Sequence, residues 1–422
     1  MQGGMAESPS PVPLTTFDPR TARTWAEVDL NRLEGNARAL LARFAPPGSG
    51  DGVMAVVKAD AYGHGAARVA AACQSVGVAH FGVATLAEAV ALRQAGVRGD
   101  LHVLSPLLPW EMDGAVRADV VPMVSSPEQL DALATAGAAA PLPARCFLKV
   151  DTGMGRSGAL PDDARALWRR AREAAETVRV VGLATHFSSA DETDAAGRAA
   201  TAAQSTRFAE FLARLAEEEG GEDAPDDGRG GRGLWLSLEN SPAALSAGLR
   251  AGSSAFPFAR GHLVRAGLLL YGIEPYRGAL ADAPPELDAV LSWRARITLV
   301  KELPAGATVG YGRTHTLERP SRIATVAAGY ADGLPRRLGN AGHVLLRERP
   351  CPIVGRVSMD QCQVDVTDLG PPAVEPGEVV TLIGTDGAAS QSVLDIAERV
   401  GTTPHEPPCA LTARVPRLYV RR

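Results

Sequence analysis

An α/β protein with an N-terminal (β/α)8, TIM-like barrel and a C-terminal, mostly β domain is the fold class this sequence predicts. Three observations carry that reading. Between about Trp25 and Gly272, short apolar runs alternate with Ala-, Arg- and Glu-rich stretches of helical texture, and repeated β-then-α units imply a parallel sheet. After about Pro285 the texture changes to strand-like runs separated by Gly/Pro turns. No GxGxxG follows the first strand, which weakens the doubly wound alternative.

Residues 1–22 are rich in Pro, Ser and Thr and are expected to form a disordered tail. The barrel is expected over 23–285. Its strands are placed at 52–57, 80–83, 101–104, 120–124, 145–150, 179–184, 234–238 and 262–270, with helices at 87–94, 127–135, 161–177 and 195–219. Ser126 is a candidate N-cap with Gln129 in the capping-box position. About eight strands in roughly 250 residues make a closed barrel the economical solution. Residues 217–232 (EEEGGEDAPDDGRGGR) are acidic, glycine-rich and without apolar periodicity, and read as a flexible surface insertion. Over 286–422, strands are placed at 294–303, 321–328, 343–346, 351–357, 361–365 and 378–383, a helix at 393–400 and a closing strand at 413–420.

The 422 residues suit two domains, and 45% hydrophobic with 22% charged residues is an ordinary globular composition. A net charge of -5 gives no support to nucleic-acid binding, and no apolar stretch approaches a membrane span. The N-terminus lacks a basic region followed by an apolar run, so a secretory signal is not expected. Cys73, Cys146, Cys351, Cys362 and Cys409 are scattered, with no CxxC and no Cys/His cluster. Neither a disulfide framework nor a zinc site is indicated, and a cytoplasmic location is the simplest.

Ala55-Val56-Val57-Lys58-Ala59-Asp60-Ala61-Tyr62-Gly63-His64-Gly65 carries the most chemistry. An apolar strand that delivers one lysine desolvates its ammonium and lowers its pKa. Such an amine can attack a carbonyl or act as a base. Two glycines let backbone approach a ligand, and Tyr62 offers a hydroxyl to an anion. Further candidates follow later strands: Lys149-Val150-Asp151 through Arg156, Thr185-His186, Asn240-Ser241, and Arg265-Ala266-Gly267-Leu268. Barrel enzymes carry catalysis at the C-terminal ends of their strands.

These segments, in this order from about Trp25 to Tyr419, resemble the alanine racemase family. The resemblance implies a pyridoxal 5'-phosphate (PLP) barrel followed by a β domain, and a cytoplasmic isomerase that interconverts L- and D-alanine to supply D-alanine for peptidoglycan. Lys58 would be the PLP lysine. Tyr62 and Ser241, with backbone N–H groups of Gly267 and Leu268, would hold the phosphate. Arg156 would donate to the phenolate oxygen or the substrate carboxylate. Arg265 would face the pyridine nitrogen; an arginine does not protonate it, which limits the ring as an electron sink. His186 and Asn240 would complete the cofactor shell.

Two proton carriers are then implied, Lys58 on one face and Tyr311, within Val309-Gly310-Tyr311-Gly312, on the other. In the family the matching tyrosine reaches the barrel of a partner subunit, so a homodimer with shared active sites is implied. Tyr330, Met359 and Asp360 would bind substrate at the entrance. Lys149 matches a lysine that is carbamylated in some members, with an ordinary Lys–Asp surface pair as the alternative. The chain departs from the family pattern at His405, where a tyrosine is usual, and more mildly at Ala266 and Ser358. His405 leaves substrate choice open to serine or a broader amino-acid set. A PLP decarboxylase, a non-catalytic PLP carrier and a metal-assisted aldolase of related fold are the other classes; Arg265 weighs against the first, the β domain with Tyr311 against the second, and the lack of an evident His/Cys/Asp cluster in the β-domain sequence against the third.

Overall fold

The computed structural model describes residues 21–219, 232–246, 248–250, 252–280 and 287–422. The tail expected at 1–22, up to residue 20, and nearly all of the insertion expected at 217–232 lie outside them. The chain opens with strand β1 (Thr24–Asp29) and a helix over Leu30–Phe44, whose cap is Asp29: its carboxylate accepts from the Asn31 and Arg32 N–H groups. Eight strands then close a parallel barrel. They are β2 (Gly52–Val56), β3 (His80–Val83), β4 (Asp100–Val103), β5 (Val120–Val124), β6 (Ala144–Lys149), β7 (Val178–Ala184), β8 (Leu234–Ser237) and β9 (Ala259–Ala266). Closure is made by β9 against β2, with Val53 opposite Val264 and Ala55 opposite Ala266.

Strands buried on both faces must be apolar throughout, and β2 and β5 are buried at every position. The barrel interior is packed with Met54, Val121, Met123, Phe147, Val181 and Leu263. Gly182 is required there: a Cβ on it would lie 2.2 Å from the Phe147 ring.

The second unit is a nine-stranded, mostly antiparallel sheet around β10 (Leu291–Leu303). Its strands include Ser321–Val326, His343–Leu346, Cys362–Asp365, Val379–Asp386 and Arg417–Val420, and a helix over Val393–Val400 follows. β1 belongs to this sheet, antiparallel to β10 and parallel to Arg417–Val420. The sequence reading placed no strand there.

Other differences have local causes. The last barrel strand stops at Ala266, because Gly267 turns the backbone into a short 3-10 helix over Leu268–Tyr271. The helix expected to reach residue 177 stops at Glu173. The run expected as a strand at 351–357 is a strand only over Arg349–Pro352, followed by a single bridge of Ile353 to Val364. Ser126 caps its helix by accepting from Gln129 N–H, but the Gln129 side chain accepts from Ser125 N–H and no reciprocal box forms.

Candidate active site

Lys58 leaves the barrel just past β2 and opens a tight left-handed turn. Ala59, Asp60, Ala61 and Tyr62 have φ between 53° and 56°, a region that disfavours residues bearing a Cβ. Hydrogen bonds hold it there. Glu88 accepts from Ala59 N–H at 2.6 Å, and Asp60 accepts from Ala66 N–H at 2.8 Å. Tyr271 Oη donates to Val56 O at 2.8 Å, and Arg417 Nε donates to Gly63 O at 2.8 Å. The turn throws the lysine side chain into the barrel mouth. Burial lowers the Lys58 pKa, and the Arg156 and Arg265 charges lower it further, against Cys409 and Glu88.

Arg265, on β9, is buried on the barrel floor of this site, and both of its Nη nitrogens are engaged. Its Nη1 donates to Ser237 O and Ser237 Oγ at 2.8 and 2.7 Å. Its Nη2 donates to Thr185 O, Leu238 O and His186 Nδ1 at 3.1, 2.9 and 2.9 Å. Burial brings its pKa down to about 10, so it stays a cation at neutral pH. A guanidinium only donates. His186 Nδ1 therefore accepts, and the neutral ring carries its proton on Nε2. Burial and then the Arg265 charge push the His186 pKa down to about 2.

Past the adjoining strands β8 and β9, Ser241 Oγ accepts from the Gly267 and Leu269 N–H groups at 2.9 and 3.4 Å. A Cβ at Gly267 would sit 2.7 Å from Tyr62 Oη and 3.8 Å from Ser241 Oγ. Two hydroxyls and the N-terminus of the turn beginning at Leu268 thus converge on a space that only glycine leaves open. The phosphate of PLP fits this cradle. Asn240 sits beside it, but its side-chain oxygen caps the 241–245 helix by accepting from Ala243 N–H. His405 lies on the same side, its ring 5.8 Å from that of Tyr62.

Lys149 ends β6 and is only 6% exposed, which removes the surface-pair alternative. Asp151, its nearest acid in sequence, accepts instead from the Gly153, Met154 and Gly155 N–H groups. Burial and the charges of Arg265, Arg156 and Lys58 push the Lys149 pKa down to about 7. The site is therefore a knot of cations, which the anionic groups of PLP would neutralise. The sequence reading missed two of its supports. Glu239, buried beside Arg265, accepts from Arg250 Nε at 2.7 Å. Gln204 holds the His186 loop through His186 O and Ser188 N–H. Both lie in unremarkable sequence contexts.

Tyr311, Tyr330, Met359 and Asp360 gather separately on the β domain. Tyr311, Tyr330 and Met359 are 72%, 44% and 52% exposed. Tyr330 N–H donates to Ser358 O, Ala331 N–H to Met359 O, and Asp360 pairs with Arg414 at 2.7 Å. Among the described residues, no hydrogen bond, ion pair or ring contact joins Tyr311 to Lys58, His186 or Arg265.

A closed barrel whose strand ends converge a desolvated lysine, a buried arginine and an anion cradle, with a β domain attached, is the arrangement of a barrel-type PLP protein. The sequence profile of the alanine racemase N-terminal domain matches residues 28–275, and that of the alanine racemase C-terminal domain matches 290–419. The chain belongs to the alanine racemase family. It is 36% identical over 401 residues to an alanine racemase of Halothermothrix orenii, covering 94% of this chain and 97% of that protein. The solved alanine racemase of Streptomyces coelicolor superposes with a TM-score of 0.81 at 36% identity, covering 96% of this chain and 99% of that one. That of Bartonella henselae, solved with covalently bound pyridoxal phosphate, gives 0.77 at 28% identity over 94% and 100% of the two chains.

Proposed function

We propose that this chain is a PLP-dependent isomerase that interconverts L- and D-alanine, with Lys58 and Tyr311 as its two proton carriers. The convergence at one barrel mouth of Lys58, the Arg265–His186 pair and the Tyr62–Ser241–Gly267 cradle carries this reading. When bound, the cofactor ring draws electrons from the α-carbon of an attached amino acid and acidifies its α-hydrogen. Tyr62, Ser241 and the Gly267 and Leu268 backbone would hold the phosphate, and Asn240 and His405 would border it. Lys58 Nζ, desolvated, would hold or release a proton on one face. Arg265 orients the ring without giving it a proton and fixes His186 with its Nε2–H outward. That N–H and the surrounding cations would favour the phenolate of Tyr311 on the second face.

Arg156, whose charge acts on Lys58 and Lys149, would bind the substrate carboxylate together with the Met359 backbone. Tyr330 and Asp360 would line the entrance. A lysine with a pKa of about 7 holds a large neutral fraction at physiological pH. Its amine can add to carbon dioxide and release one proton, and the resulting carbamate would pair with Arg156. Because Tyr311 is exposed and unjoined to Lys58 within one chain, we assign it to the barrel of a second copy in a homodimer. We further place the enzyme in the cytoplasm, supplying D-alanine for peptidoglycan, and divide the chain into a barrel unit over 23–285, whose first strand β1 joins the sheet of the other unit, and a β domain over 286–422. The five free cysteines suit a reducing compartment, and no helix among the described residues is long and apolar enough to cross a membrane.

His405 beside Tyr62 favours one second reading, a pocket that admits serine or larger side chains. A chiral product assay with L-alanine, L-serine, L-lysine and L-arginine decides. Alanine should convert fastest toward an equal mixture. Faster racemisation of another amino acid would move the specificity, and no racemisation by PLP-loaded protein would overturn the proposal.

A further inference from the structure

The opposite end of the barrel carries chemistry that racemisation does not use. His80 opens β3, and Asp100 and His102 are the first and third residues of β4, with His80 opposite Asp100 in the parallel register. His80 Nδ1 lies 3.2 Å from His102 Nε2 and 3.7 Å from Asp100 Oδ2. One ligand atom from each of the three residues lies within 4.8 Å of the others. A tetrahedral ion with bonds of about 2.0–2.1 Å spaces its ligand atoms by roughly 3.3–3.4 Å, so to meet such an ion the two imidazoles would part slightly and the Asp100 carboxylate would close in.

The surroundings pre-arrange these ligands. Asp100 Oδ1 accepts from Arg145 at 2.8 Å, which leaves Oδ2 toward His80. The His80 and His102 rings pack edge-on against Trp235 and Phe147, at 5.2 and 5.3 Å between centroids. His102 is buried with its Nε2 toward His80, and its other ring nitrogen, Nδ1, has no hydrogen-bond partner. A cavity of about 330 Å³, also lined by Arg98 and Arg260, leads to the cluster.

We propose that His80, Asp100 and His102 bind one divalent transition-metal ion of the zinc or cobalt type at the N-terminal end of the barrel. Two imidazoles and one carboxylate favour such an ion over magnesium or calcium. The Arg145 guanidinium takes the outer role of fixing the carboxylate, and its charge makes the site weaker than a cysteine-rich structural site. The ion would tie β3 to β4 and stabilise the folded state by mass action. It takes no part in racemisation, whose residues stand at the other strand ends.

The test uses the PLP-loaded enzyme, freed of metal by a chelator and titrated with cobalt(II). The expected result is a visible d–d absorption that saturates at one equivalent per chain, with zinc(II) raising the unfolding temperature. His80→Gln should remove both effects and leave alanine racemisation unchanged; Asp100→Asn is the second variant should the first fold poorly. Three results overturn the proposal: no d–d absorption, undiminished binding in the variants, or stabilisation by inorganic phosphate but not by cobalt(II). The last would make the cavity an anion site lined by its arginines.

Discussion

At the residue scale, the site is governed by groups whose charge the fold opposes. Lys149 has its folded pKa near 7, well below the ordinary lysine value of 10.5. The unfolded state then binds more protons than the folded state between pH ~7 and ~10, and stability rises with pH there, with a slope approaching about 1.4 kcal/mol per unit. Below pH ~7 the group is charged in both states and the slope vanishes. Denaturant titrations of cofactor-free protein in carbon dioxide-depleted buffer should show this rise, and Lys149→Met should flatten it.

Gly267→Ala tests the cradle, since the new Cβ would lie 2.7 Å from Tyr62 Oη. We expect a folded protein whose PLP affinity falls at least about 10-fold, roughly 1.4 kcal/mol, by equilibrium dialysis; unchanged affinity would move the phosphate elsewhere. For Tyr311→Phe, racemisation should fall about 10²–10⁴-fold. Exchange of the α-hydrogen with solvent deuterium should persist for the one enantiomer that Lys58 faces. Loss of exchange from both enantiomers would argue against two separate carriers.

At the element scale, the turn over Ala59–Tyr62 is the costliest local conformation described. Each left-handed non-glycine residue costs about 1–2 kcal/mol, so the turn persists only because its surroundings hold it. Glu88 is the chief clamp: one oxygen accepts from Ala59 N–H, and the other accepts from the Ala84 and Thr85 N–H groups. It thereby joins the capping box of the Leu86–Gln94 helix to the turn that carries Lys58. Glu88→Gln would leave one of these donors facing an amide N–H, at about 1–3 kcal/mol. We expect lower stability in denaturant titrations together with a lower kcat. A stable variant with unchanged kcat would show that the turn holds itself.

At the scale of the whole molecule, the two units are laced together at the site. β1 pairs in the β-domain sheet before the chain enters the barrel. Arg417, at the far end of the sequence, grips the lysine turn at Gly63. A Cβ at Gly65 would meet Tyr419 Oη at 1.8 Å, so the C-terminal strand lies directly on the turn. Disturbing either terminus should therefore reach Lys58. The proposed shared site makes a quantitative prediction. Equal mixtures of Lys58→Ala and Tyr311→Phe chains, dissociated and reassociated, should recover about one quarter of native activity, because half the dimers are mixed and each has one intact site. No recovery would place both carriers on the same chain.

The sequence by itself determined the barrel, the β domain and the lysine-bearing segment. Apolar runs at β2 and β5, helical stretches between strands and glycine-punctuated β texture are local signals, set by which residues can be buried where. The family resemblance brought Arg265, His186 and Ser241 onto the same rim; the structure joins Arg265 to His186 by a hydrogen bond and sets Ser241 against the Gly267 turn that follows Arg265. Only the tertiary structure decided the rest. β1 has a partner nearly 270 residues away in the chain, which no local period can report. The left-handed turn at Ala59–Tyr62 contains no glycine to announce it, since a distant carboxylate, hydroxyl and guanidinium hold it. Tyr311 was singled out as a carrier, yet its exposure in one chain is a fact of the fold. His80, Asp100 and His102 show no ligand motif in sequence and meet because parallel strands set residues 20 or more positions apart side by side. Burial follows from composition nearby in the chain, while charge, strain and coordination arise from groups that only folding brings within a few ångströms.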